Sequence, residues 1–529
     1  MAKIFVFGIG GTGERVIRSL TMLMASGAQA FDGHEVYPVI IDYDQANEDK
    51  KRTVRLLQNY MEVHNAAFQR HSASSDIKGQ VGQFFAAHLR NMAGLENFVF
   101  PFKPAAPNEK FRDYIGFGQL AGNTLNTQRL LESLYDKSDR PDTELNLDMT
   151  VGFKGNPNIG SVVFHTISDT NEFRTFINLY DSQKDDKVII IGSLFGGTGA
   201  SGIPEIVKAV RAKKPDANIA TILVMPYFAP IEKEGGAIKA SRFNSKTKAA
   251  LNYYKDSGLM SQINRVYYAG DPTLTRIPYS EGGVTQRNNA NLIEFISALM
   301  IEHFVSDNNG ASPNNKDKEF KFSLDANLVV IPGQKVKERF FMSDFDKVSL
   351  RRVLSPMATL AIGLKLHHDE VQTAKAKKKD FYKFLHINEK EENGELDMLR
   401  KKLDSFYNEY KEWLKELDFE GKENNLPGNS HRFGFLDMSR DYKNIILKEA
   451  VVDHGTNDGG VFEIARTFLQ GDRISSDYLV TRLNYHLRDN ANGNGHYDTQ
   501  RNQLRENHEP EWVYADILHE AAKDGFGRL

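Results

Sequence analysis

The sequence predicts an α/β protein: a Rossmann-like, mostly parallel sheet with helices on both faces, followed by a mainly helical C-terminal region. Three observations predict it. A strand–glycine loop–helix unit occurs twice, at the N-terminus and near residue 200. Short apolar, β-branched runs at Val36–Ile41, Ile219–Val224 and Val266–Ala269 are separated by stretches of helical periodicity. From about His367 the composition shifts to Lys and Glu, with apolar residues three and four apart.

The first unit begins with an apolar strand, Lys3–Phe7. Gly8-Ile9-Gly10-Gly11-Thr12-Gly13 follows, then a helix with Val16, Ile17, Leu20 and Leu23 on one face. The loop fits the G-x-G-x-x-G dinucleotide-binding pattern. The next strand, Val36–Ile41, ends in Asp42-Tyr43-Asp44, and an acid at that strand end holds ribose in dinucleotide-binding enzymes. The first loop with Asp42 or Asp44 therefore describes, by itself, an NAD(P)-binding oxidoreductase.

Residues 49–96 read as helices with solvated charged faces, and Phe98–Phe100 as a candidate strand. A glycine turn, Ile115–Asn123, precedes an amphipathic run with Leu125, Leu130 and Leu134. Residues 136–160, rich in Asp, Pro, Asn and Gly, read as a loop. Ser161–Phe164 reads as a strand and Phe173–Leu179 as a helix.

The second unit is the centre of the chain. Val188–Ile191 is a buried strand, Gly192–Gly202 a glycine-rich turn, and Ile203, Ile206, Val207 and Val210 mark a helix packed on the sheet. This geometry holds phosphate, because glycines let the backbone approach the anion and free N–H groups at the helix start point at it. Thr198 and Ser201 add hydroxyl donors. The turn lacks the Gly-Lys-[Ser/Thr] ending of a Walker loop. A strand ended by Pro226, a helix from Arg242, the strand Val266–Ala269 and an apolar helix after Asn291 complete this part.

Composition excludes several classes. The 529 residues can form two or three domains. Lys+Arg 67 against Asp+Glu 70 gives a net charge of −3, so nucleic acid is not an expected partner. The absence of cysteine removes disulfides and thiolate metal sites and suits a cytoplasmic location. No signal-peptide pattern opens the chain, and no apolar run reaches the roughly 20 residues of a membrane-spanning helix. Neither a zinc-ligand spacing nor a Gly-x-Ser-x-Gly elbow occurs.

Gly196-Gly197-Thr198-Gly199-Ala200-Ser201-Gly202 resembles the signature phosphate loop of the tubulin/FtsZ family, with Phe195 where the family usually has its first glycine. Gly8–Gly13 is similar to the family's first loop and Asp42–Gln45 to its Asn-Thr-Asp turn. Ile115–Asn123 resembles in position the third nucleotide loop. Two glycine loops are what the resemblance needs; an NAD(P) domain needs only one.

The resemblance implies a fold of the tubulin/FtsZ GTPase type over residues 1–330, binding GTP or GDP with Mg²⁺. Gly10, Gly11, Thr12 and Gly13 would meet phosphate from one side and Gly196, Gly197, Thr198 and Gly199 from the other, with Asp44 at the second turn. Asn244 stands where the family has its ribose-binding acid and Lys248 where it has a phosphate-reaching arginine. Asn291, with Asn289 as the alternative, corresponds to the residue that reads the guanine edge. Asn291 also reads as a helix cap.

In the family, hydrolysis needs a loop after the central helix that enters the next subunit. Asn315-x-Asp317-x-Glu319 stands there, making Asp317 the candidate catalytic acid, although a plain polar loop is the better reading of the segment. The resemblance thus implies a self-assembling scaffold or filament component with weak or interface-dependent GTPase. A nucleotide-free interaction scaffold is the remaining alternative. Residues 331–425 read as a core-covering segment plus an amphipathic helix, and 426–529 as a further region. In that helix Leu396, Leu399, Leu403, Phe406, Tyr410, Trp413 and Leu417 form a heptad-like stripe. It serves either packing within the chain or association with a second copy or a protein partner.

Overall fold

The computed structural model describes residues 1–44, 46–68, 82–102, 109–120, 125–135, 144–149, 152–231, 238–270, 275–278, 280, 282–283, 286–306, 319–323, 347–368, 394–417 and 510–526. The architecture is α/β, as the sequence predicts. The strands are β1 (Ala2–Ile9), β2 (His34–Ile41), β3 (His88–Leu89), β4 (Lys187–Ser193), β5 (Asn218–Val224), β6 (Phe228–Pro230), β7 (Arg265–Gly270), β8 (Thr275–Ile277) and β9 (Glu319–Ser323). Seven form one sheet in the order β3-β2-β1-β4-β5-β7-β9, and every pairing in it is parallel. β6 and β8 pair separately, also in parallel.

The order runs outward from β1 in one direction and from β4 in the other. Ligands of open parallel sheets bind at such a reversal, beyond the carboxyl ends of the strands. All seven residues of β4 are buried, which explains its unbroken apolar run: a central parallel strand is covered on both faces.

The helices are α1 (Gly10–Ala25), α2 (Glu48–Phe68), α3 (Phe111–Tyr114), α4 (Leu125–Tyr135), α5 (Pro157–Phe164), α6 (Asn171–Leu179), α7 (Gly197–Lys213), α8 (Phe243–Asp256), α9 (Leu292–Ser306), α10 (Lys347–Leu366), α11 (Gly394–Leu417) and α12 (Pro510–Phe526). Alternation along the strands divides the core in two. Ile4, Val6, Ile189 and Ile191 face α1, α2, α9, α10, α11 and α12. Phe5, Phe7, Val188 and Ile190 face α5, α6 and α7. Among the described residues no helix is long and apolar enough to cross a membrane.

Two local expectations are corrected. Ser161–Phe164 is the end of helix α5, not a strand; Pro157 stands in its first turn, where a missing N–H costs nothing. Phe98–Phe100 forms only isolated bridges, to Ile40 and to Glu96; in the first, Ile40 N–H donates to the Phe98 carbonyl and Phe100 N–H to the Ile40 carbonyl.

The heptad-like stripe is taken up within the chain. Leu396, Leu399, Leu403, Phe406, Tyr410, Trp413 and Leu417 are all buried in the core shared with α1 and α2. Charges fix the same packing: Arg18 Nη1 donates to Glu416 Oε2 at 2.6 Å, Arg52 pairs with the same carboxylate, and Arg55 Nε meets Glu409 at 2.8 Å. The stripe is therefore not free for an intermolecular coiled coil.

Candidate functional site

Both glycine loops open onto one cleft at the reversal point. Gly10, Gly11, Thr12 and Arg15 line one wall, and Ser193 with Phe195–Gly199 the facing wall. The cleft encloses about 980 Å³ with its open mouth included. The walls nearly touch at one point, where a Cβ on Gly10 would lie 3.2 Å from Thr198 Cβ. Gly10 has φ +69°, which suits glycine.

Close approach dictates the inner glycines. A Cβ on Gly13 would lie 2.5 Å from the Gly8 carbonyl carbon, and one on Gly199 would lie 2.6 Å from Ser193 N and O. Gly13 thus fits α1 against its own strand rather than lining the cleft.

α1 and α7 begin inside the loops, at Gly10 and Gly197, and no side chain caps either start. The first N–H groups of a helix have no partner within it, so two uncapped helix starts direct donors and partial positive charge into one space. Thr12 and Thr198 add hydroxyls at the lining. Ser201 does not; its hydroxyl donates back to the Gly197 carbonyl at 2.7 Å.

Phe195 is explained by its neighbours. Its ring lies 4.8 Å from Phe243, 5.3 Å from Phe228 and 6.1 Å from Tyr227, an aromatic cluster that fastens the second loop to β6 and α8.

The third wall is the Gly152-Phe153-Lys154-Gly155 turn before α5. It packs tightly on the second loop, since a Cβ on Gly197 would lie 3.0 Å from Phe153 Cβ and 3.2 Å from Gly155 Cα. Ile115–Asn123, the expected third loop, contributes no lining residue among those described.

The basic residue on α8 is also displaced. Asn244 and Lys248 are exposed and lie outside the lining of the cleft. Lys246 lines the cleft instead, and its ammonium donates to the Gly155 carbonyl at 2.6 Å. Burial, then the nearby Arg242, holds that ammonium below the usual lysine range. The phase of α8 decides this, because Phe243 and Thr247, one turn apart, form its buried side and turn 244 and 248 outward.

Asn291 lies outside the lining and caps α9. Its Oδ1 accepts from Ile293 N–H at 2.9 Å, and its own N–H donates to Glu294 Oε2 at 3.0 Å. Asn289 is exposed. Gln286 and Asn288, just upstream, reach the cleft.

Asp42 and Asp44 both line the cleft and both have internal partners. Asp42 accepts from Asp44 N–H and from the Asn47 amide, at 3.1 and 2.9 Å. Asp44 Oδ2 accepts from Gly283 N–H at 2.5 Å. Burial pushes the Asp42 carboxyl up. Glu14, behind the first loop, is pushed well above the usual range by burial and then by Asp42. Among the described residues no group of three or more acidic, histidine or cysteine side chains can hold a metal.

Arg15 anchors the remaining wall. Nε donates to Glu294 Oε1 at 2.5 Å, Nη1 to Asp49 Oδ2 at 2.8 Å and Nη2 to the Tyr227 hydroxyl at 2.8 Å. Its guanidinium carbon lies 6.0 Å from the centre of the Phe228 ring. Sequence reasoning missed Arg15, Lys246, Gln286 and the Gly152–Gly155 turn. Arg15, two residues beyond the first glycine loop, carried the clearest signal of these. Asp317 lies outside the described residues.

No family model matches the chain, and no curated protein matches it. Among solved structures, CetZ from Methanosaeta thermophila strain DSM 6194 is similar at 12% identity, over 58% of this chain and 51% of that one, with a TM-score of 0.22. The chain thus spans about half the length of that structure.

Proposed function

We propose that this chain binds a guanine nucleotide, GTP or GDP, in the cleft between its two glycine loops, in the manner of the tubulin/FtsZ family it resembles. One observation carries the reading: uncapped starts of α1 and α7 face each other across one cleft, at the point where the strand order reverses. A dinucleotide-binding domain needs one such start. The phosphates lie between Gly10–Thr12 and Gly196–Gly199, and Lys246 with the Gly152–Gly155 turn supplies positive charge from the third side. Mg²⁺ arrives on the phosphates, which provide most of its oxygen ligands, with Asp42 and Asp44 as the candidate carboxylates on the wall. The same reading makes the protein a self-assembling scaffold or filament component with slow GTP hydrolysis.

Thr198→Glu tests the site. The added carboxylate stands at the cleft lining, where it repels phosphate. The expected result is at least about a hundredfold loss of GTP affinity by calorimetry with an unchanged melting temperature. Unchanged affinity in the folded variant contradicts the reading.

A further inference from the structure

We propose that helix α11 controls the affinity of the cleft, and that Glu416 on it is the positioning residue through which it does so; this rests on the nucleotide-binding reading above. The cleft and α11 are joined by residues 286–290, a stretch just before α9 that is neither helix nor strand. Gln286 and Asn288 of this stretch line the cleft. α11 holds the same stretch: Ala290 N–H donates to Glu416 Oε2 at 2.9 Å, and Arg287 Nη2 to Glu412 Oε1 at 2.7 Å.

The path from Glu416 to the cleft wall is continuous. Glu416 pairs with the Arg52 guanidinium, and another nitrogen of that guanidinium donates to the Asn288 carbonyl at 3.2 Å. Asn288 donates to Asp49 through its N–H at 2.9 Å and its side-chain amide at 3.0 Å. Asp49 Oδ2 accepts from Arg15 Nη1 at 2.8 Å, and Asp49 N–H donates to the Gln286 carbonyl at 3.2 Å. Arg15, Asp49, Arg52 and Glu416 are all buried. In such surroundings each bond is strong and an orphaned charge is costly, so the members of the chain hold or give way together.

Two states follow. With α11 docked, three cleft-lining residues are placed by bonds that end on one carboxylate. With α11 lifted, Arg18, Arg52 and the Ala290 N–H lose that carboxylate, and residues 286–290 lose their hold from α11. A ligand that touches Gln286, Asn288 or Arg15 binds the docked state better, and by linkage it stabilises docking by the same factor. α11 lies beyond residues 1–330, the part that resembles tubulin/FtsZ, so this control belongs to the chain's own C-terminal region. Glu409 is a matched control: two turns earlier on the same face of α11, it pairs with Arg55 of α2 at 2.8 Å.

The test measures GTP affinity by calorimetry on wild type, Glu416→Gln and Glu409→Gln, each kept below its own melting transition. The expected result is about a tenfold loss in Glu416→Gln, within the range of couplings between linked sites, and wild-type affinity in Glu409→Gln. If both variants keep wild-type affinity, or both lose it equally, Glu416 only packs the helix, and the inference is overturned while the nucleotide site stands. Should Glu416→Gln fail to fold, hydrogen exchange on wild type decides. Bound GTP is expected to slow amide exchange in α11 about tenfold, and more than in α6 on the opposite face of the sheet. Exchange in α11 that ignores GTP overturns the inference. A wild type that binds no GTP removes the nucleotide reading and this inference with it.

Discussion

Behind the first glycine loop, α1 is buried along almost its whole length; behind the second, α7 surfaces along one side and at its end. The two begin alike, with an apolar parallel strand, a glycine turn and an uncapped helix start. Their surroundings differ. α1 sends Arg15 to α2 and α9, and Arg18 to Glu416 on α11. α7 offers the partly exposed pair Lys208–Glu205, 3.1 Å apart, one turn along the same helix. One local motif thus serves as a junction to the last third of the chain in the first case and as a unit packed on α5 and α8 in the second.

The largest expected effect comes from breaking that junction. Glu416→Ala leaves Arg18 and Arg52 buried without their carboxylate, and the Ala290 N–H loses its acceptor. The expected loss in denaturant unfolding is about 3–5 kcal/mol. The matching change on α7, Glu205→Ala, is expected to cost under about 1 kcal/mol. Equal losses would erase the distinction between the two helices.

Next come the glycines that make the loops alike. Gly13→Ala and Gly199→Ala each drive a Cβ into backbone, at 2.5 and 2.6 Å, so each is expected to cost about 1–3 kcal/mol. A loss at only one site, read by thermal unfolding, shows that the loops are not equivalent at this level.

The smallest effect separates the loops by pH. Glu14 is held well above its ordinary value near 4.5, so the folded protein keeps a proton that the unfolded chain releases. The stability this contributes is complete below about pH 4.5 and is lost as pH rises through the raised value, by at most about 1.4 kcal/mol per pH unit. Glu14→Gln removes that slope. Unfolding titrations from pH 5 to 8 that leave wild type and variant parallel contradict the burial account of this carboxyl.

What the sequence made legible follows the range of the forces involved. Both glycine loops were readable because an apolar run, a glycine turn and a helical repeat are local signals. The third wall was not. Ile115–Asn123 and Gly152–Gly155 are both glycine turns ahead of a helix, and only the packing of α5 on α7 brings the second one to Gly197. On α8 the right helix was found with the wrong side chains, because the attraction of Phe243 to Phe195 and Phe228 sets the phase. Asn291 had two local readings, and the capping bonds to Ile293 and Glu294 took it. The stripe on α11 was visible as amphipathic, but the surface that covers it comes from α1 and α2, hundreds of residues away.

The most direct test of the central claim is the nucleotide content of the protein purified natively, then denatured and resolved by chromatography. The account predicts GTP or GDP, near one equivalent per chain. Bound NAD, or an empty protein that also fails to take up added GTP, would contradict it.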